Sequence, residues 1–235
     1  MPSAGPIAGG PSPEPPAAVG LREHKKRVMR ERLSATATAM FLERGFEQVR
    51  VNEVAAACGV SEKTVYNYFP TKESLLLDRE GDMAAMLRRA LASPGPVTEA
   101  VVSALATELD ELTDTTHDHG ATGLGLIDRF TTMVEATPSL RAAHTDMMDR
   151  LLQTAARALA ARDGTETESP ENQIAASALI GLWRIQLRAM RRYADGTRTP
   201  AQVRHAVLAE VRRAATTVDR GLRHHPVDGG SAGHP

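Results

Sequence analysis

The chain has 235 residues, enough for one or two domains with a sizeable core. Its 28 Lys and Arg against 29 Asp and Glu make the whole nearly neutral, and aromatics reach only 3%, so Ala, Leu, Val and Met must build most of the core. One cysteine, Cys58, excludes an internal disulfide and fits a reducing cytoplasm; no apolar run approaches the roughly 18 residues of a membrane span, so no membrane association is expected.

Residues 1–20 are rich in Pro, Gly and Ala without a charged start or a hydrophobic centre, the pattern of a disordered tail rather than a signal peptide. From Arg22, residues Met29, Leu33, Ala37, Met40 and Phe41 recur at helical spacing on an otherwise charged segment. Gly45 stops this helix, and Phe46 tucks under the next pair of helices. Its basic entry (Arg22, Lys25, Lys26, Arg27) could lie along a phosphate backbone or form a solvated face.

Asn52 to Cys58 reads as a short helix of small residues. Gly59 supplies a position that accepts positive φ, and Ser61 is a good N-cap for a second helix reaching Phe69, closed by Pro70. Helix, glycine turn and helix form the arrangement that sets its second helix in a DNA major groove. Val65 and Phe69, four apart, face inward and leave Lys63, Thr64, Asn67 and Tyr68 outward. Residues 21–72 hold ten Lys and Arg against six Asp and Glu, a basic portion on an acidic remainder, as a nucleic-acid face requires. Cys58, in a run of alanines, is a small buried hydrophobe, since nothing beside it favours a thiolate.

Beyond Thr71 the pattern predicts one helix over about 72–92, broken by Ser93-Pro94-Gly95-Pro96, then helices from Val97 to Leu112, Leu124 to Ala136 and Pro138 to Arg162. His117, Asp118 and His119 lie in a polar loop without a scaffold or second shell for a metal, so no metal is assigned. Two further helices, Glu171–Tyr193 and Pro200–Gly221, precede a second frayed tail at 223–235. The expected fold is all-α with about nine helices. A helix-turn-helix domain at 21–72 passes into a helical body at 73–222. Within that body Phe130, Met133, Met147, Leu151, Trp183 and Met190, with the polar His144 and Gln186, are candidates for lining a ligand pocket. The last two helices carry surplus apolar surface, which points to a dimer interface through Ile174, Ala178, Leu182, Val207, Val211, Ala214 and Val218. There is no glycine-rich phosphate loop, zinc-binding set or nucleophile motif, so neither an enzyme nor a cofactor is expected.

Residues 30–77, with FLERGF, VNEVAAACGVS and TVYNYFPTKESL in order, resemble the DNA-binding domain of the tetracycline-repressor-like (TetR) family of bacterial transcriptional regulators. The resemblance implies a cytoplasmic homodimer on a palindromic double-stranded DNA operator. It also implies dimerisation through the two C-terminal helices, and a small-molecule effector that swings the DNA-binding heads apart. Repression is likewise what the family implies. Matching positions make Asn52, Lys63, Thr64, Tyr66, Asn67, Tyr68 and Lys72 the DNA contacts. Asn67 is the first candidate for base readout, because an amide pairs bidentately with adenine. Tyr66 and Lys72 suit phosphates, Lys72 at a helix start; partial core packing is the alternative for Tyr66 and Tyr68. Arg50 departs from the family, which has a capping Thr there. Arginine is a poor N-cap, leaving about 1 kcal/mol of capping unmade, though its guanidinium could meet a phosphate directly. The alternative reading is a helical protein-interaction adaptor with a vestigial DNA-binding motif.

Overall fold

The computed structural model describes residues 16–113, 120–167 and 169–223; all regular structure among the described residues is helical. The chain divides into two compact units, Met1–Leu76 and Leu77–Pro235. The first contains α1 (Pro16–Arg44), α2 (Val51–Ala57), α3 (Glu62–Tyr68) and α4 (Lys72–Leu76). The second contains α5 (Glu80–Ala92), α6 (Val97–Thr113), α7 (Gly120–Ala136), α8 (Pro138–Asp163), α9 (Pro170–Tyr193) and α10 (Pro200–Arg223).

The largest departures from the sequence reading fall at three places. Helix α1 starts at Pro16, six residues early, because proline suits a first-turn position whose N–H needs no partner. Helix α7 starts at Gly120 rather than Leu124. The single helix expected over 72–92 is two, interrupted at Leu77–Arg79. Leu75, Leu76 and Leu77 are all buried, and consecutive helical residues are about 100° apart, so no single face of one helix could bury all three. The break raises the count to ten helices among the described residues. Residues 1–15 and 224–235, read as tails, and the loop with His117, Asp118 and His119 lie outside the described residues.

In the first unit α1 packs on α2 and α4, and α2 on α3. Leu33, Ala37 and Phe41 of α1 are fully buried together with Val49, Val54, Val65, Phe69 and Leu75, and Phe41 meets Phe46 with ring centroids 5.0 Å apart. Ser34 Oγ donates to the Leu75 carbonyl at 3.1 Å, tying α1 to α4. Cys58 is buried, as its alanine-rich surroundings suggest.

In the second unit, Pro138 and Pro170 open α8 and α9, and Gly164, at φ +66°, ends α8. Helix α9 contacts α6, α7, α8 and α10 of its own chain. Much of its apolar surface is therefore covered within its own chain, including some of the residues expected at a dimer interface. Leu182, Val207 and Val211 are fully buried within one chain, in a core shared with Leu105, Leu109, Leu179 and Met190. Ala214 and Val218 pack against that core, half-buried. Only Ile174, 65% exposed, and the half-buried Ala178 remain on an outer line of α9. The Arg162 guanidinium of α8 closes the end of α5, donating to the carbonyls of Leu91 (3.2 Å), Ser93 (2.7 Å) and Gly95 (2.6 Å).

Candidate nucleic-acid interface

The helix-turn-helix is built by short-range chemistry. Gly59 takes φ +65°, a left-handed conformation that costs a side-chain-bearing residue more. Ser61 Oγ accepts the Thr64 N–H at 3.1 Å and so caps α3. Val65 and Phe69 are fully buried, which fixes the rotation of α3 about its axis. Lys63, Tyr66 and Asn67 consequently face solvent, Tyr66 being 44% exposed, while Thr64 and Tyr68 are half-buried. Asn52 and Arg50 are exposed on and before α2.

Arg50 does not cap α2 with its side chain. The missing function is supplied in reverse: the Arg50 backbone N–H donates to Glu53 Oε2 at 2.7 Å, and Arg44 Nη2 holds Glu53 Oε1 at 2.7 Å. These contacts, the Arg50 N–H foremost, hold the Glu53 carboxyl below its ordinary value. An acid three residues into a helix was a readable signal; the reach of Arg44 was not. Lys72 opens α4, the helix start the sequence indicates. Its ammonium lies 4.3 Å from the Phe46 ring centroid and 5.8 Å from that of Phe41, so this aromatic pair also helps to position the charge.

Residues 33–78 match the model for bacterial regulatory proteins of the tetR family. That segment belongs to the tetR family. A curated relative, the HTH-type transcriptional regulator TcmR of Streptomyces glaucescens, is 29% identical over 156 residues, a match spanning 63% of this chain and 66% of the relative. The fold is similar to that of Thermus thermophilus FadR, a TetR-family transcriptional repressor solved with lauroyl-CoA. That likeness has a TM-score of 0.50 at 21% identity and covers 87% of this chain and 100% of that one. It is also similar to a TetR-family chain from Syntrophomonas wolfei, with a TM-score of 0.53 at 15% identity over 81% and 96% of the two chains.

Behind the tetR-family segment in sequence, the second unit holds a groove of about 810 Å³ between α5 and α6, floored by Met83, Met86, Ala90 and Ala104. None of the eight residues read from the sequence as pocket lining lies in its wall. Met147, Leu151, Gln186 and Met190 are buried, while Phe130, Met133, His144 and Trp183 are half-buried. His144 and Trp183 do come together, stacked at 6.5 Å between centroids; burial, and secondarily Arg184, lower the His144 pKa.

One residue joins the groove to this interior, and the sequence did not mark it. Glu108 lines the groove, pairs with Arg79 Nη2 at 3.1 Å and accepts from Gln186 Nε2 at 3.3 Å. Burial pushes its carboxyl above the ordinary range, and Arg79 offsets only part of that. Among the described residues, no helix is long and apolar enough to cross a membrane, and no metal-ligating cluster is found.

Proposed function

We propose that the chain is a DNA-binding transcriptional regulator, a repressor that acts as a dimer on a palindromic operator and is released by a small-molecule effector. The observation that carries this reading is the set of side chains on α3. Burial of Val65 and Phe69 turns Lys63, Tyr66 and Asn67 to solvent within a tetR-family segment, with Arg50 and Asn52 exposed nearby in sequence. Lysine and asparagine supply the two contact types such an interface needs, one for phosphate or guanine and one for adenine. An effector site in the helical body is supported by its open groove and by the fold likeness to a repressor solved with an acyl-CoA. The dimer rests on the outer line of α9 through Ile174 and Ala178, since Leu182, Val207 and Val211 are internal and Ala214 and Val218 pack on the same core.

The test is a mobility-shift titration of the full chain on the DNA flanking its own gene. Specific retardation is expected, weakening steeply as salt rises. Asn67→Ala combined with Lys72→Ala should abolish the specific shift. Unchanged binding by that double variant, or no DNA affinity even at low salt, would sink the assignment of the interface.

A further inference from the structure

We infer that the inner end of the α5–α6 groove, at Glu108, binds the cationic nitrogen head of an apolar ligand, a guanidinium or amine, which displaces the Arg79 side chain. The inference rests on reading the helical body as an effector domain and names the chemical class of the effector.

Four observations converge on it. Charged groups in the groove wall are Arg79 and Arg89 against Asp82, Glu99, Glu108 and Glu111, an excess of two carboxylates. Glu108 is the sheltered one, its side chain only 12% exposed, whereas its partner Arg79 is 55% exposed. A sheltered carboxylate paired with a long, solvent-facing arginine is an exchangeable pair, because the arginine loses little by returning to water. Next to it lies a polar deficit. Gln186, outside the groove wall, is fully buried with its Nε2 spent on Glu108, and both its Oε1 and the Trp183 indole N–H are buried without a hydrogen-bond partner. Glu108, held by Arg79 and by Gln186 Nε2, thus presents its carboxylate to the groove, and a ligand bringing several N–H donors with a positive charge would satisfy it. The groove floor of Met83, Met86, Ala90 and Ala104 offers the apolar remainder of such a ligand a flexible, dispersive surface. An anionic head would meet the carboxylate excess, and a neutral head would leave the buried charge no better compensated.

The arrangement also gives the ligand a consequence. Arg79 is the residue immediately before α5, within the interruption that comes after α4. Displacing its guanidinium from Glu108 releases a restraint on the start of α5.

The chain contains one tryptophan, Trp183, half-buried on α9, the helix whose Gln186 donates to Glu108, so its fluorescence is the readout. The experiment is a fluorescence titration of the full chain with hexylguanidinium, with hexanol and hexanoate as neutral and anionic counterparts of the same length. Hexylguanidinium alone should give a saturable change. Glu108→Gln, nearly isosteric, should weaken it by about tenfold or more, and Arg79→Gln should tighten it about threefold by removing the competitor. Equal response to hexanol or hexanoate, no saturable response to hexylguanidinium, or unaltered affinity in Glu108→Gln would overturn the inference. Should Glu108→Gln not fold, as judged by its helical circular dichroism, the Arg79→Gln titration decides: unchanged or weaker affinity refutes competition at Glu108. The same preparations are assayed on operator DNA. A specific shift without hexylguanidinium binding sinks this inference and leaves the regulator standing; binding without any DNA affinity does the reverse.

Discussion

The guanidinium of Arg30 in α1 lies 4.4 Å from the centroid of the Phe69 ring and donates to the Tyr68 carbonyl at 2.8 Å. Phe69 is the residue that ends α3, so one side chain both stacks on the closing aromatic and satisfies a carbonyl that the helix leaves open. Arg30 is thus a positioning residue for the recognition helix. Arg30→Ala should lower stability by about 1 kcal/mol, from a cation–π contact and a hydrogen bond, and weaken operator binding. Arg30→Lys keeps the charge but not the planar stack, so operator affinity should fall there as well while the salt slope stays constant. Urea melts and mobility shifts on both variants check this; full binding by Arg30→Lys would mean that only charge matters.

Much of this unit was legible because its determinants are local. Gly59, Ser61 and the Val65/Phe69 pair each act within a turn of themselves, and each does in the structure what its chemistry implies. Pro138, Gly164 and Pro170 set helix ends in the body for the same reason. What sequence could not supply is long-range choice. Arg30 and Tyr68 are 38 residues apart, Arg162 and Gly95 are 67, and no periodicity marks either pairing. The apolar richness of α9 was visible, but whether a helix spends it inside its own chain or on a partner depends on how many neighbours surround it. Glu108 looked like any acid on an amphipathic helix until Arg79 and Gln186 were brought to it.

That distinction separates two substitutions on α9. Leu182 is fully buried, so Leu182→Glu places an unpaired charge in the core and should cost on the order of 4 kcal/mol or more, unfolding the protomer. Ile174 is 65% exposed, so Ile174→Glu should change protomer stability by only about 0.5 kcal/mol while setting two like charges into a two-fold interface. Sedimentation velocity with circular dichroism separates the cases. The expected result is a folded monomer for Ile174→Glu and loss of helix for Leu182→Glu; a folded dimer for Ile174→Glu would move the interface elsewhere.

Glu108 predicts a pH dependence opposite in sign to that of an ordinary salt-bridged acid. Its folded pKa is raised above the usual 4.5, burial being the largest cause, so the folded chain holds this proton more tightly than the unfolded one. Stability from this group is fully present below 4.5 and is lost as pH rises through the folded pKa. Glu108→Gln cannot titrate there, so its melting temperature should gain on wild type as pH rises from the acid side towards neutrality. His144, with a lowered pKa, acts on both proteins and cancels in the difference. Parallel melting curves across that range would show that Glu108 carries no such penalty.

Two outward residues of α3 should fail in different ways on DNA. Lys63 carries a point charge, and Asn67 carries an amide able to read one base; both are exposed. If Lys63 meets a phosphate, Lys63→Ala weakens binding to all sequences alike and reduces the salt slope by about 1, since one fewer counterion is released. Asn67→Ala leaves the slope unchanged, costs about 1–3 kcal/mol on the operator and relaxes preference at one base pair per half-site. Titrations at several salt concentrations, on the operator and on single-base variants of it, measure both quantities. A salt slope that moves with Asn67 instead of Lys63 would exchange the two roles. A rotation of α3 could not explain that exchange, because Val65 and Phe69 lock the helix into the core.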